Sequence, residues 1–156
     1  MSESTPLRIA LGSDHAGFAL KERVKILLGE LGHTVVDFGC FSSEPCDYPD
    51  YIRPAAEAVR RGECDRCIVF GGSGNGETIV ANRVSGVRAP LCWNLETARL
   101  GREHNDANGL ALGARMIEES LALEIVHIWL KTPFEGGRHL PRIRKIDDPN
   151  YETERS

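Results

Sequence analysis

The stretch CIVFGGSGNGET, residues 67–78, leads from an apolar run through a glycine-rich turn into a second segment with helical character. The run 67–72 is rich in β-formers and is typical of a strand buried in a parallel sheet. A helix is predicted over 77–84. A strand, a tight turn and a helix in this order form the unit from which α/β domains with a parallel sheet are built.

The same alternation extends in both directions along the chain. Strands are predicted at 7–13, 34–39, 67–72, 87–93 and 109–113. Helices are predicted at 16–31, about 50–61, 77–84, 95–104, 118–130 and 138–146. This order predicts one α/β domain, a doubly wound, Rossmann-like parallel sheet of five strands in the order 2-1-3-4-5 with helices on both faces. Its core covers about 7–146, and a polar tail follows Asp147.

Length and composition exclude several classes of protein. The chain has 156 residues, of which 41% are apolar, enough for one ordinary domain. Its net charge of −4 gives no basic surface for a nucleic-acid partner. No apolar run approaches the ~18 residues of a membrane span. The start, MSESTPLR, lacks the basic and apolar regions of a secretory signal.

The five cysteines are odd in number and accompany no secretory signal, which favours a reducing, cytoplasmic environment. Cys64 and Cys67 have the spacing of a metal or redox pair. A structural zinc site would need a second such pair, and a thioredoxin-like pair follows a strand instead of preceding one. We therefore expect incidental thiols, no metal site and no cofactor.

The polar chemistry is concentrated at two predicted strand ends. In doubly wound sheets a ligand binds beyond the carboxyl ends of the strands, where the strand order reverses. Here that point lies between the first and third strands, whose ends read GSDH (12–15) and GGSGNGE (71–77). We expect the ligand site there.

The glycine-rich loop fits the phosphate-binding pattern G-x-x-x-x-G-K-[ST] except at one position. Gly71, Gly76 and Thr78 are in place, but Glu77 stands where the lysine belongs. A carboxylate repels the phosphates that the lysine would hold, and the dinucleotide pattern G-x-G-x-x-G is absent too. The loop therefore predicts neither a nucleoside triphosphate nor a dinucleotide as ligand.

An anion that forms only during the reaction fits the loop better. Consecutive backbone N–H groups before a helix bind anions. With Glu77 removing a carbon-bound proton, they would hold an enediolate, the intermediate of an aldose–ketose isomerase. Two simpler interpretations remain open. The glycines serve only the turn, or Glu77 is a carboxylate favoured by the helix dipole.

Other candidates carry similar alternatives. Asp14 and His15 either cap the first helix or bind the ligand. His104, at the end of the fourth helix, is either a partner of the helix dipole or a site residue. Arg138 and Arg142 lie four residues apart, as solvated charges or as a fork for phosphate.

Six separated motifs together resemble ribose-5-phosphate isomerase type B, a family that includes the sugar-phosphate isomerases of galactose and allose metabolism. They read GSDHAGFALKE, DYPDYI, GGSGNGE followed by IVANR, REHNDAN, LALGAR and WLKTPFEGGRHLPRI, and the likeness spans about 7–146. The resemblance implies interconversion of ribose 5-phosphate and ribulose 5-phosphate through a cis-enediol. The same chemistry on a tetrose, tetrulose or hexose phosphate is the alternative, and a flavodoxin-like or nucleotide-binding module is a remote one.

The resemblance also implies residue roles. The base of that family is commonly a cysteine at the position of Gly71, but one branch carries a glutamate that matches Glu77. His104 assists opening of the sugar ring, and Ser73 contributes to the anion hole. The implied substrate-binding residues are Asp14, His15, Tyr48, Gly72, Gly74, Asn75, Gly76, Asn105, Arg115, Arg138 and Arg142. Among these, the phosphate ligands are His15, Arg115, Arg138 and Arg142.

Topology separates two of the implied residues. A helix that returns between parallel strands runs antiparallel to them, so His104 is expected at the sheet edge opposite Glu77. If both serve one site, His104 comes from a second subunit. We therefore expect a phosphorylated sugar as substrate and a homodimer with shared sites, or a tetramer that contains it.

Overall fold

The computed structural model describes residues 5–152. Two predictions fall partly outside this range. They concern the first residues of the chain (1–4), where no secretory signal is predicted, and the end of the polar tail (153–156). The described residues form a four-stranded parallel sheet in the order β2-β1-β3-β4. The strands are β1 (Arg8–Ser13), β2 (Thr34–Asp37), β3 (Arg66–Gly71) and β4 (Gly109–Gly113). The helices are α1 (Phe18–Glu30), α2 (Pro49–Arg60), α3 (Asn75–Asn82), α4 (Leu95–Asn105), α5 (Glu119–Lys131) and α6 (Leu140–Asp147).

Helices cover both faces of the sheet because alternate strand residues point to opposite sides. On one face, Leu11, Phe70 and Leu112 pack in a core with α1, α4 and α5. On the other face, Ala10, Val69 and Ala111 pack in a second core with α2 and α3. The predicted α/β class is therefore confirmed. No helix between residues 5 and 152 is both long and apolar enough to cross a membrane.

The predicted strand at 87–93 is wrong. The segment runs along the outer edge of β4 but forms only an isolated bridge, between Leu91 and Ala111. Pro90 has no N–H, so it cannot donate to the strand beside it. Three hydrogen bonds remain: Gly109 N–H to Arg88 O (3.1 Å), Ala111 N–H to Pro90 O (2.9 Å) and Cys92 N–H to Ala111 O (3.1 Å).

Because the strand at 87–93 is wrong, the predicted strand order 2-1-3-4-5 is wrong as well. The stretch Gly109–Gly113, expected as the fifth strand, is β4 and pairs directly with β3. The segment 87–92 then lies outside β4. The chain therefore forms the outer segment first, and the later residues 109–113 then lie between that segment and β3.

The last predicted helix, 138–146, is also divided. Arg138 lies in a 3₁₀ turn, Gly137–His139, and Arg142 lies in α6. Pro141 stands in the first turn of α6, where a missing N–H costs no helical hydrogen bond. The two arginines therefore do not share one α-helix.

The prediction that Cys64 and Cys67 are incidental thiols agrees with their surroundings. Both are buried, and burial raises the pKa of the Cys67 thiol to about 12. A thiol that stays protonated is a poor nucleophile and a poor metal ligand.

Asn82 is predicted to hold the edge segment in place. Its Oδ1 accepts from Ala89 N–H (2.9 Å), and its Nδ2 donates to Ala89 O (2.8 Å). Asn82→Ala leaves both backbone groups of Ala89 without these partners, so we expect the free energy of unfolding to fall by about 1–3 kcal/mol in urea denaturation. The control Ser85→Ala, at an exposed position, should change it by less than about 0.5 kcal/mol.

Candidate active site

The ends of β1 and β3 meet at the carboxyl edge of the sheet, as predicted. Asp14 N–H donates to Phe70 O (3.1 Å), which ties the residue after β1 to β3. The Asp14 carboxylate accepts from Gly17 N–H (2.8 Å) just before α1, so the capping interpretation is realised in part. Asp14 is buried beside Glu77, which lies in the first turn of α3.

Glu77 is buried, and its carboxylate lies against the backbone of Gly71. A Cβ atom at residue 71 would overlap both carboxylate oxygens. A side chain at this position would therefore displace the Glu77 carboxylate. The carboxylate occupies the place that a side chain at residue 71 would take.

The surroundings of Glu77 make it a stronger base than an ordinary glutamate. Burial is the main cause that raises its pKa, and the neighbouring Asp14 carboxylate raises it further. Its own backbone N–H opposes this shift in part. A carboxylate with a raised pKa takes up a proton more readily than an ordinary one.

The loop between β3 and α3 forms the predicted N–H nest. Gly74 adopts a left-handed conformation (φ 84°) at the N-cap of α3. Asn75 N–H donates to Ser73 Oγ (3.2 Å). Within residues 5–152, no acceptor receives a hydrogen bond from the N–H of Gly72, Ser73, Gly74 or Gly76. These donors before a helix can bind an anion.

Three more of the predicted substrate-binding residues lie at this edge of the sheet. A Cβ at Gly76 would lie 2.5 Å from Tyr48 Cζ, so the tyrosine ring covers the loop. A Cβ at Gly72 would lie 3.4 Å from Arg115 Nη1, which places that guanidinium beside the nest. His15 Nδ1 accepts from Cys46 N–H (3.3 Å), so a neutral His15 carries its proton on Nε2, free to donate to a ligand.

Four predicted residues lie elsewhere. His104 and Asn105 end α4, which leads into the start of β4. There, Cys67 N–H near the start of β3 donates to Asn108 O (2.9 Å). The length of β3, about 17 Å, therefore separates this edge from Glu77. The predicted separation of His104 from Glu77 within one chain is confirmed.

Arg138 and Arg142 belong to the same amino edge as His104. Arg138 adjoins His139, whose ring stacks on that of His104 with centroids 4.4 Å apart. Both arginines are exposed and form no ion pair in the part of the chain that the structure describes. They are therefore available to an anionic ligand.

Sequence reasoning missed two neighbours of His104. Glu135 Oε1 lies 3.9 Å from His104 Nε2 and 3.2 Å from His139 Nε2. The sequence predicts no metal site, whereas in the fold these three residues offer ligand atoms within 4.8 Å of one another. The separation of Glu135 from His139 by four residues was the available signal.

Known proteins of similar sequence and structure are sugar-phosphate isomerases. A family model described as Ribose/Galactose Isomerase matches residues 9–146. Ribose-5-phosphate isomerase B of Escherichia coli is 45% identical over 139 residues, covering 89% of this chain and 93% of the relative. The putative sugar phosphate isomerase YwlF of Bacillus subtilis is 47% identical over 143 residues, covering 91% and 96%. The solved structure of Clostridium thermocellum ribose-5-phosphate isomerase B superposes with a TM-score of 0.89 at 51% identity, covering 91% of this chain and 96% of that one.

The raised pKa of Glu77 predicts a pH-dependent cost to stability. A group whose pKa is higher in the folded state stabilises the fold fully below its unfolded pKa, about 4.3, and loses that contribution as the pH rises through the folded pKa. Glutamine keeps the shape and cannot ionise.

Glu77→Gln should therefore be more stable than the parent protein near neutral pH, by a margin that shrinks toward pH 4. Urea denaturation at several pH values measures it. Glu119→Gln, which removes an exposed first-turn carboxylate from α5, should change the free energy by less than about 0.5 kcal/mol. A margin independent of pH would contradict the assignment of a raised pKa to Glu77.

Proposed function

The chain belongs to the ribose/galactose isomerase family, and from this premise we propose that it interconverts ribose 5-phosphate and ribulose 5-phosphate with Glu77 as the base. The observation that carries the mechanism is the buried Glu77 carboxylate beside Asp14 and the free N–H groups of the loop. A base and an oxyanion-binding nest adjoin each other at the edge where a ligand is expected.

The reaction needs a proton moved between two adjacent carbons. The Glu77 carboxylate takes the proton from C2 of the open-chain aldose, and the C–H electrons form the C1=C2 bond of a cis-enediolate. The N–H groups of Gly72–Gly76, with the Ser73 hydroxyl, stabilise the oxygen that becomes negative. The O2 hydroxyl proton then passes to the negative O1, Glu77 returns its proton to C1, and the C2=O bond of the ketose forms as the C1=C2 bond is lost.

The phosphate of the substrate needs a local cluster of cations because the chain as a whole is acidic. Arg115 lies beside the loop and supplies part of this cluster, and His15 Nε2 is proposed to donate a hydrogen bond to the same phosphate. Arg138 and Arg142, at the opposite edge, supply the rest from a second chain. Guanidinium groups bind phosphate oxygens through two parallel N–H bonds.

His104 is proposed to act on the substrate of the partner's Glu77. A chain cannot bring its own His104 across the length of β3. In a two-fold symmetric dimer, the amino edge of each subunit lies against the carboxyl edge of its partner. The dimer therefore contains two equal sites, each formed by both subunits. His104 assists ring opening there, and Asn105 binds beside it.

A different sugar phosphate is the competing substrate, because the matched family includes galactose isomerases by its description. A panel of four-, five- and six-carbon aldose phosphates, compared by kcat/KM, tests the assignment. The highest value should belong to ribose 5-phosphate. A clear preference for a tetrose or hexose phosphate would keep the chemistry and replace the substrate.

Loss of the base and displacement of the base should have the same effect. Glu77→Gln should lower kcat by about 10²–10⁴-fold while sugar phosphate still binds. Gly71→Ala should also lower kcat strongly, because its Cβ takes the place of the Glu77 carboxylate. Gly29→Ala, in a helix with open space around it, is the control and should retain full activity. More than about a tenth of the parental kcat in Glu77→Gln would remove Glu77 as base.

Mixing two inactive variants tests the shared site. Glu77→Gln and His104→Asn carry their lesions on different edges, so a mixed dimer contains one doubly damaged site and one intact site. With random exchange, half the dimers are mixed, and roughly a quarter of the parental activity should return. If both residues served one site within a chain, mixing would restore nothing, provided that subunit exchange is verified by mass spectrometry.

A further inference from the structure

The amino edge of the sheet carries a compact group of metal-ligating side chains. His104 ends α4, Glu135 follows α5, and His139 lies in the 3₁₀ turn. Their ligand atoms lie within 4.8 Å of one another. Two imidazole nitrogens, both Nε2, face the same oxygen, Glu135 Oε1.

These distances come close to those of a tetrahedral metal site. Zinc bonds of about 2.0–2.1 Å place neighbouring ligand atoms about 3.3 Å apart. The separation between His139 and Glu135 is 3.2 Å, and that between His104 and Glu135 is 3.9 Å. A movement of about half an ångström closes the difference in distance. The partly exposed His104 ring must also turn out of its stack on His139, because an imidazole nitrogen binds a metal in the plane of its own ring. The His104 and Glu135 side chains are partly exposed, 37% and 45%, so they have room to adjust.

The group is held by its surroundings before any ion binds. His139 is buried, and its ring stacks on that of His104 at an angle of 18°. Glu135 N–H donates to Glu103 O (3.0 Å), which fixes the loop against α4. Of the arginines near this surface, Arg99 is paired with Glu96 and Glu103, whereas Arg138 and Arg142 are exposed and have no ion-pair partner within residues 5–152.

The donor set selects the type of ion. Two imidazoles and one carboxylate suit zinc and related first-row transition metals, whereas calcium and magnesium prefer oxygen ligands alone. Three protein ligands leave one position for water or for a substrate oxygen.

We propose that His104, Glu135 and His139 form a binding site for one divalent transition-metal ion of the zinc class. The ion binds His104 through Nε2, the nitrogen that faces Glu135. On the proposed function, which assigns ring opening to His104, the occupied state is inactive. Metal binding is therefore inhibitory and reversible by chelation, and the metal-free protein is the active form.

The test measures binding and activity separately. Chelator-treated protein is titrated with zinc against a chromogenic chelator, and Co²⁺ serves as a spectroscopic probe of ligand geometry. We expect one ion per chain. Glu135→Gln and His139→Asn should weaken binding at least about tenfold. Two controls, Glu103→Gln and His127→Asn, remove a nearby carboxylate and an exposed imidazole, and they should keep the affinity within about twofold.

Activity is then followed with added zinc, each protein relative to its own zinc-free rate. Zinc should inhibit the parent protein, EDTA should restore it, and Glu135→Gln should need at least about tenfold more zinc. Because Glu135 is partly exposed, this variant decides the question even if replacement of the buried His139 impairs folding.

The outcomes separate the two hypotheses. No stoichiometric binding, or equal binding by Glu135→Gln and the parent, would overturn the metal site. Binding that is lost in Glu135→Gln but causes no inhibition would support the site and refute the part of the proposed function that assigns ring opening to His104.

Discussion

The contact between the Glu77 carboxylate and the backbone of Gly71 is the constraint on which the candidate site depends. Only five residues lie between the two positions, so the chain must reverse direction within the loop. Gly74 makes the reversal in a left-handed conformation, and Gly76 leaves room for the Tyr48 ring. The same reversal leaves the N–H groups of Gly72, Ser73, Gly74 and Gly76 without acceptors within residues 5–152, so the turn that positions Glu77 also provides free donors beside it.

The second constraint is the length of the sheet. Parallel strands put every strand end at one edge and every strand start at the other, so a single chain presents Glu77 and His104 on opposite edges. Neither edge holds a complete set of groups for ring opening, proton transfer and phosphate binding. On the proposed shared-site model, activity then depends on association, and it should fall with dilution below the dissociation constant of the dimer.

Local sequence predicted the features that local chemistry determines. The glycine loop, the buried strands and the first turn of α3 follow from residues within a few positions of one another. The strand at 87–93 failed because the hydrophobic pattern gave no weight to the missing N–H of Pro90 and could not show that 109–113 would pair with β3 first. The grouping of Glu135 and His139 with His104 depends on how α5 packs against α4, and no local pattern carries that information.

The resemblance implies a cysteine base at position 71 or a glutamate base at position 77, and the geometry at Gly71 makes these two alternatives compete for one place. A side chain at residue 71 and a carboxylate from residue 77 require the same volume, so one excludes the other. Gly71→Cys alone would displace the Glu77 carboxylate, because the two side chains need the same volume. On the proposed function, loss of Glu77 first would leave the loop without a base. The identity of the base would then be coupled to residue 71 through shape, while the N–H groups of the loop remain the same in both cases.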